Sequence, residues 1–184
     1  MTLPAKFQYV TKLLEKAGGK PRQVEVAVSV FGTHEAPGSG DNPDILGWAG
    51  ELGVADVYKH DAVPWCGLAM GFFISRAGFK PPKGYLMLRA LEWANFGDPI
   101  SQTGAMFGDV LVFHRTGGGH VGLYVGESAN AFAVLGGNEG DAVSIVYIEK
   151  DRLSAVRRPP YGETLPNVIK IPLTAAGTVS TNEA

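Results

Sequence analysis

One cysteine and four histidines are the residues of this chain best suited to covalent chemistry. Cys66 stands in Val63-Pro64-Trp65-Cys66-Gly67, at the head of an apolar run. A proline there fits the first turn of a helix, where its missing N–H is not needed. Cys66 then falls in the first turn. Unpaired N–H groups and the positive end of the helix dipole favour a thiolate at that position. The same N–H groups are placed to receive an oxyanion. A free cysteine is otherwise most often a small buried hydrophobe, so the case for a nucleophile needs a base.

His34 lies in a polar loop, His60 just precedes the cysteine helix, and His114 ends a strand beside Arg115. His120 follows three glycines and opens His120-Val121-Gly122-Leu123-Tyr124-Val125. Alternation puts Val121, Leu123 and Val125 on a core face. His120, Gly122 and Tyr124 share the other, where Gly122 leaves room for the cysteine helix. His120 is therefore the candidate base. A Cys–His pair also needs a group that holds the imidazole tautomer. The next strand ends Gly136-Gly137-Asn138-Glu139, and antiparallel pairing sets that end beside His120. Asn138 is the preferred orienting residue and Glu139 the alternative. Asn138 is equally in character as a turn residue after two glycines. Trp65, Tyr124 and Glu35 are candidate substrate contacts, although both aromatic rings would also serve as core. Glu35, Asp41 and Asp44 lack the spacing of an EF-hand loop and read as solvated loop acids, so no metal is expected.

These residues must be positioned by two kinds of element. Residues 4–18 carry Phe7, Val10, Leu13 and Leu14 at helical spacing and stop at Gly18. Pro21 to Phe31 reads as a helix, despite the alternation of Val24, Val26, Val28 and Val30. A short helix runs from Asn42-Pro43 to Gly53, with Asp41 as a candidate N-cap. Asp61–Gly78 is the clearest helix, and residues 86–96 form another. Gly67 and Gly71, four apart, permit the close approach of another element, such as the strand bearing the base. After Gly104 the period changes to that of short strands: Asp109–Phe113, His120–Val125, Ala131–Leu135 and Val143–Ile148. Helices followed by an antiparallel sheet make an α+β domain. Residues 1–160 are expected to form one domain and 161–184 a partly flexible extension. Val168–Ile171 is a candidate strand, and the last eleven residues read as a loose tail.

Composition narrows the function classes. The 184 residues are 45% hydrophobic and 18% charged, a globular balance. A net charge of −2 gives no basic field, which argues against nucleic acid as partner. A single cysteine excludes an intramolecular disulfide. The opening residues show no basic stretch followed by an apolar one, so no secretory signal is expected. No apolar run approaches the ~20 residues of a membrane span. Synthesis in the cytoplasm without membrane insertion is the expectation.

Pro64-Trp65-Cys66-Gly67, Gly108-Asp109-Val110-Leu111-Val112-Phe113, Gly119-His120-Val121-Gly122-Leu123-Tyr124-Val125-Gly126 and Leu135-Gly136-Gly137-Asn138 occur in that order. Together they resemble the CHAP/NlpC-type cysteine peptidoglycan hydrolases, nearest to the small phage- and prophage-associated branch. Glu35 to Asp44 resembles that branch's N-terminal segment. The resemblance covers residues 30–158. It implies a papain-like fold, with a cysteine-bearing helix packed on an SH3-like antiparallel sheet. It implies Cys66 as nucleophile, His120 as base and Asn138 as third member, with no cofactor. It implies a monomeric amidase or endopeptidase of peptidoglycan, such as an endolysin that a holin admits to the periplasm and cell wall. An interbacterial amidase toxin and a non-catalytic virion or wall-binding protein are the alternatives. Many CHAP enzymes carry a Glu two residues before the Asn, where this chain has Gly136.

Overall fold

The computed structural model describes residues 2–162, 164–166 and 168–174. The chain is mixed α+β, with four α-helices packed on a six-stranded antiparallel sheet. Helix α1 (Gln8–Lys16) follows a single 3-10 turn and buries Val10 and Leu14, four residues apart on one face. Helix α2 (Arg22–Ser29) buries Val24 and Ala27. Its valines alternate as a strand would, but the packed face has helical spacing. Helix α3 (Pro43–Glu51) carries Pro43 at its start, and its N-cap is Asn42 rather than Asp41. The Asn42 side chain accepts from the Asp44 N–H at 2.8 Å.

Helix α4 (Cys66–Arg76) buries every residue from Cys66 to Ile74. An all-round apolar helix belongs at the centre of the molecule. It is shorter than the expected Asp61–Gly78, because Pro64 and Trp65 precede the helical turn rather than join it. The segment expected as a helix over 86–96 is instead two 3-10 helices, Gly84–Leu88 and Ala90–Asn95.

The strands are β1 (Asp98–Ile100), β2 (Val110–Arg115), β3 (Gly118–Glu127), β4 (Ala131–Gly136), β5 (Ser144–Glu149) and β6 (Leu153–Arg158). Their spatial order is β1-β6-β2-β3-β4-β5. Four consecutive strands thus form a meander, and β6 returns to lie on the free side of β2. Both sheet faces are covered. Val121, Leu123 and Val125 join the helices in the main core, while Tyr124, Phe113, Phe132 and Val134 form a second cluster on the far face. Alternation along β3 is as expected, but α4 lies on the valine face and not opposite Gly122. A Cβ on Gly122 would meet Val134 Cγ1 at 2.4 Å, so that glycine serves packing within the far cluster.

Residues 168–171 form no strand. The segment nevertheless docks on the sheet: Ile171 O accepts from the Glu127 N–H at 2.9 Å, and Leu173 N–H donates to Glu127 O at 2.7 Å. Of the last eleven residues, read as a loose tail, 175–184 lie outside the described residues.

Candidate active site

Cys66 is the first residue of α4, with Trp65 as N-cap at φ −122°. The backbone N–H groups of Gly67 and Val121 favour its thiolate form. Val121 is the residue after His120, and it lies beyond the β3–β4 ladder, which begins at Leu123↔Leu135.

The thiol is only 5% exposed. Burial pushes it up to about 11, against the pull of the two N–H groups and of Arg115, with Glu139 adding to the rise. The expectation of a resting thiolate is thus corrected. Desolvation outweighs the helix terminus, and the resting sulfur is a thiol at neutral pH.

His120 sits in β3, fully buried, and its Nε2 lies 3.0 Å from Glu139 Oε1. Both side chains have no solvent exposure. A carboxylate accepts only, so the bond assigns the proton to Nε2 and the basic lone pair to Nδ1. Glu139, the alternative on sequence grounds, is therefore the group that orients the imidazole. Its own backbone is fixed by Glu139 N–H to Ala142 O at 3.0 Å and by Ser144 Oγ donating to Glu139 O at 2.8 Å. Gly136 makes the arrangement possible: a Cβ there would come within 2.7 Å of Glu139 Oε1.

Asn138 holds the start of α4 instead. Its φ of +58° is a conformation asparagine tolerates better than most residues. Its Oδ1 accepts from the Trp65 backbone N–H at 3.0 Å, and its Nδ2 donates to Glu35 Oε1 at 3.0 Å. The same Glu35 oxygen accepts from Trp65 Nε1–H at 2.7 Å. Glu35 itself is placed by its N–H bond to Asp141 O at 2.9 Å. A closed triangle of Glu35, Trp65 and Asn138 thus clamps the start of α4 to the loop that carries Glu139. Burial raises the Glu35 carboxyl above its ordinary value, helped by Asp141 and Asp61 and opposed by the Trp65 bond.

Two proposed substrate contacts fall elsewhere. Trp65 is fully buried, 6.0 Å from the Trp48 ring, and presents no stacking face. Tyr124 is fully buried in the far cluster, donating to Glu127 Oε1 at 3.1 Å. Glu35 is half-buried, but its Oε1 is committed to the clamp. The element that crowds the nucleophile is the 3-10 segment, not a strand: a Cβ on Gly67 would meet Met87 O at 2.4 Å.

Asp41 accepts from the Asp61 N–H at 2.9 Å and pairs with His60 at 3.2 Å, which ties the 34–42 loop to the segment before α4. Among the described residues no three His, Cys, Asp or Glu side chains are grouped to hold a metal ion. No described helix is long and apolar enough to cross a membrane. A cavity of about 330 Å3, lined by Leu13, Lys16, Lys20, Phe107 and Ile169, contains none of these site residues. No protein-family model matches the chain, and no curated protein matches it.

Proposed function

We propose that the chain is a papain-like cysteine amidohydrolase acting on the peptide amides of peptidoglycan. The observation that carries the reaction type is the seat of Cys66. The backbone N–H of Val121, next to His120, favours the Cys66 thiolate, while buried Glu139 holds the His120 ring at 3.0 Å. Nucleophile, base and orienting group are each fixed by a different element. The substrate class rests on the resemblance of the Cys66, His120 and Asn138 segments to peptidoglycan hydrolases.

In the reaction, His120 Nδ1 takes the thiol proton and the sulfur attacks the amide carbonyl carbon. N–H groups of the first turn of α4 receive the oxyanion. The C–N bond breaks as the imidazolium gives its proton to the leaving amine. Water, deprotonated by His120, then hydrolyses the thioester and restores the thiol. Glu139 stays ionised throughout and stabilises the imidazolium.

One observation favours a second reading. With Cys66 5% exposed and His120 fully buried, the arrangement also suits a wall-binding protein that retains the fold without turnover. Digestion of purified peptidoglycan separates the two. Wild type is expected to release fragments with new amino and carboxyl termini, identified by mass spectrometry, and Cys66→Ala to release none. A folded, reduced wild type that leaves several wall chemotypes intact would sink the hydrolase reading.

A further inference from the structure

The cavity of about 330 Å3 that holds none of the Cys66 site residues joins separate parts of the chain. Lys16 ends α1, and Leu13 stands one turn before it. Gly18 and Gly19, at φ +62° and +78°, then reverse the backbone. Gly19 N–H donates to Leu14 O at 2.8 Å, and the next residue, Lys20, returns to the cavity of Lys16. Phe107 comes from the turn before β2, and its N–H donates to Ile169 O at 2.9 Å. That bond lays the C-terminal segment along the cavity as its last wall.

Exposure orders the lining. Phe107 is 1% exposed and Leu13 is half-buried, while Lys16 and Lys20 are exposed. The apolar surface therefore lies inside and the ammonium groups at the mouth. Neither lysine has a carboxylate partner among the described residues, whereas Lys150 and Lys170 both pair with Glu127. One unpaired lysine is ordinary surface. Two at the mouth of one apolar cavity, in a chain of net charge −2, make a local site of the opposite sign. The volume stands at the lower end of the range for small-molecule sites. At roughly 30 Å3 per heavy atom it takes about ten to twelve of them.

We propose that this cavity binds a single-chain anionic amphiphile, its carboxylate or phosphate on Lys16 and Lys20 and its apolar chain against Leu13, Phe107 and Ile169. Ammonium groups act as point charges and accept either head group. A small polar anion would leave the apolar floor wet, and a neutral chain would leave both cations without a counter-charge. Burial of the chain supplies affinity, and the lysines set its direction. The site is separate from the chemistry at Cys66 and does not depend on it.

The test is calorimetric titration of the full chain with decanoate, held below its micelle concentration, with decanol and acetate as references. Decanoate is expected to saturate at one per chain, acetate to give no binding, and decanol to bind about 10-fold more weakly or worse. Lys16→Gln and Lys20→Gln are each expected to weaken decanoate by about 5-fold, the upper range of an exposed ion pair. The double variant is expected to lose the preference over decanol. Ile169→Asn is expected to weaken decanoate and decanol alike. All three positions are exposed, thermal melts check that the variants stay folded, and the wild-type comparison of the two ligands needs no variant. Equal affinity for decanoate and decanol, undiminished decanoate binding in the folded double variant, or no saturable binding at all would overturn the inference. Sedimentation with phosphatidylglycerol vesicles without decanoate binding would assign the lysines to a membrane surface and overturn it equally. No readout uses turnover, so each of these failures leaves the hydrolase reading standing.

Discussion

At the residue scale, two consecutive side chains divide the support of the site. Asn138 holds Trp65, the residue before Cys66, and Glu139 holds His120 through Nε2. The two are easily exchanged in a reading of sequence, because both follow the end of the same strand. What separates them is the left-handed turn at Asn138, φ +58°, which sends adjacent side chains to different partners. Glu139→Ala is expected to lower kcat by about 10²- to 10⁴-fold with little change in KM, as for other orienting carboxylates. Glu139→Gln keeps an acceptor for Nε2–H and is expected to lose less. A steady-state comparison checks the order, and an Asn138→Ala loss confined to kcat with Glu139→Ala silent would reverse the assignment. The Glu35 clamp makes a different prediction. Glu35→Gln preserves the Oε1 acceptor and is expected to retain most activity. Glu35→Ala leaves two buried donors unmet and is expected to cost about 1–3 kcal/mol in denaturant unfolding. Cys66 supplies a pH test. Burial pushes its thiol up to about 11, so its alkylation by iodoacetamide should still be climbing above pH 9. The sign for stability is the same: a raised folded value stabilises below the unfolded one, near 9, and that contribution is lost as pH rises towards 11. A reactivity plateau already complete in the acid range would instead show a preformed thiolate.

At the element scale, α4 and the 3-10 segment above it decide how the nucleophile is presented. Both were partly legible. Cys66 at the start of an apolar helix follows from Pro64 and the run after it, and the strand of His120 follows from its alternation. The face of β3 that α4 covers was not legible, since both faces of that strand are buried and alternation alone does not say which one meets a helix. The 3-10 form of residues 84–95 was hidden for a related reason: Leu88, Leu91 and Trp93 suit a helix of either pitch, and contact with α4 selects the tighter one. Strand β6 escaped notice because Leu153-Ser154-Ala155-Val156-Arg157-Arg158 has few apolar residues and pairs with β2, forty residues earlier. Gly67 and Gly50 test the packing directly. Both are helical, and alanine is intrinsically favoured at each by ~1 kcal/mol. A Cβ at Gly50 meets nothing within 4 Å, whereas one at Gly67 meets Met87 O at 2.4 Å, a backbone atom that cannot swing aside. Gly50→Ala is expected to raise Tm by a few degrees. Gly67→Ala is expected to lower it, by about 2–4 °C for each kcal/mol of strain. Thermal melts showing both variants stabilised would mean the 3-10 segment yields easily.

At the scale of the whole molecule, the sheet is tied together by buried charges away from the site. Asp109, fully buried at the entry to β2, accepts two bonds at 2.8 Å from the Arg158 guanidinium at the end of β6. Its Oδ2 also accepts from the Met106 N–H at 2.9 Å. The partner of Asp109 is not legible in the sequence, because β6 carries little apolar pattern and pairs with a strand distant in the chain. The pair matters because β6 reaches β2 only after the chain has passed through β3, β4 and β5, and a misplaced β6 would leave Val110–Phe113 of β2 without its partner on that side. Removing one partner of a buried pair leaves the other charge unmet. Asp109→Ala is therefore expected to cost about 3–5 kcal/mol. Replacing both partners with apolar residues of similar size, as in Asp109→Leu with Arg158→Met, should cost less than the sum of the single changes. The coupling is read from a double-mutant cycle of urea unfolding. Additive costs would show that Asp109 acts only through the Met106 turn, and that the register of β6 on β2 is set by backbone pairing and apolar contact alone.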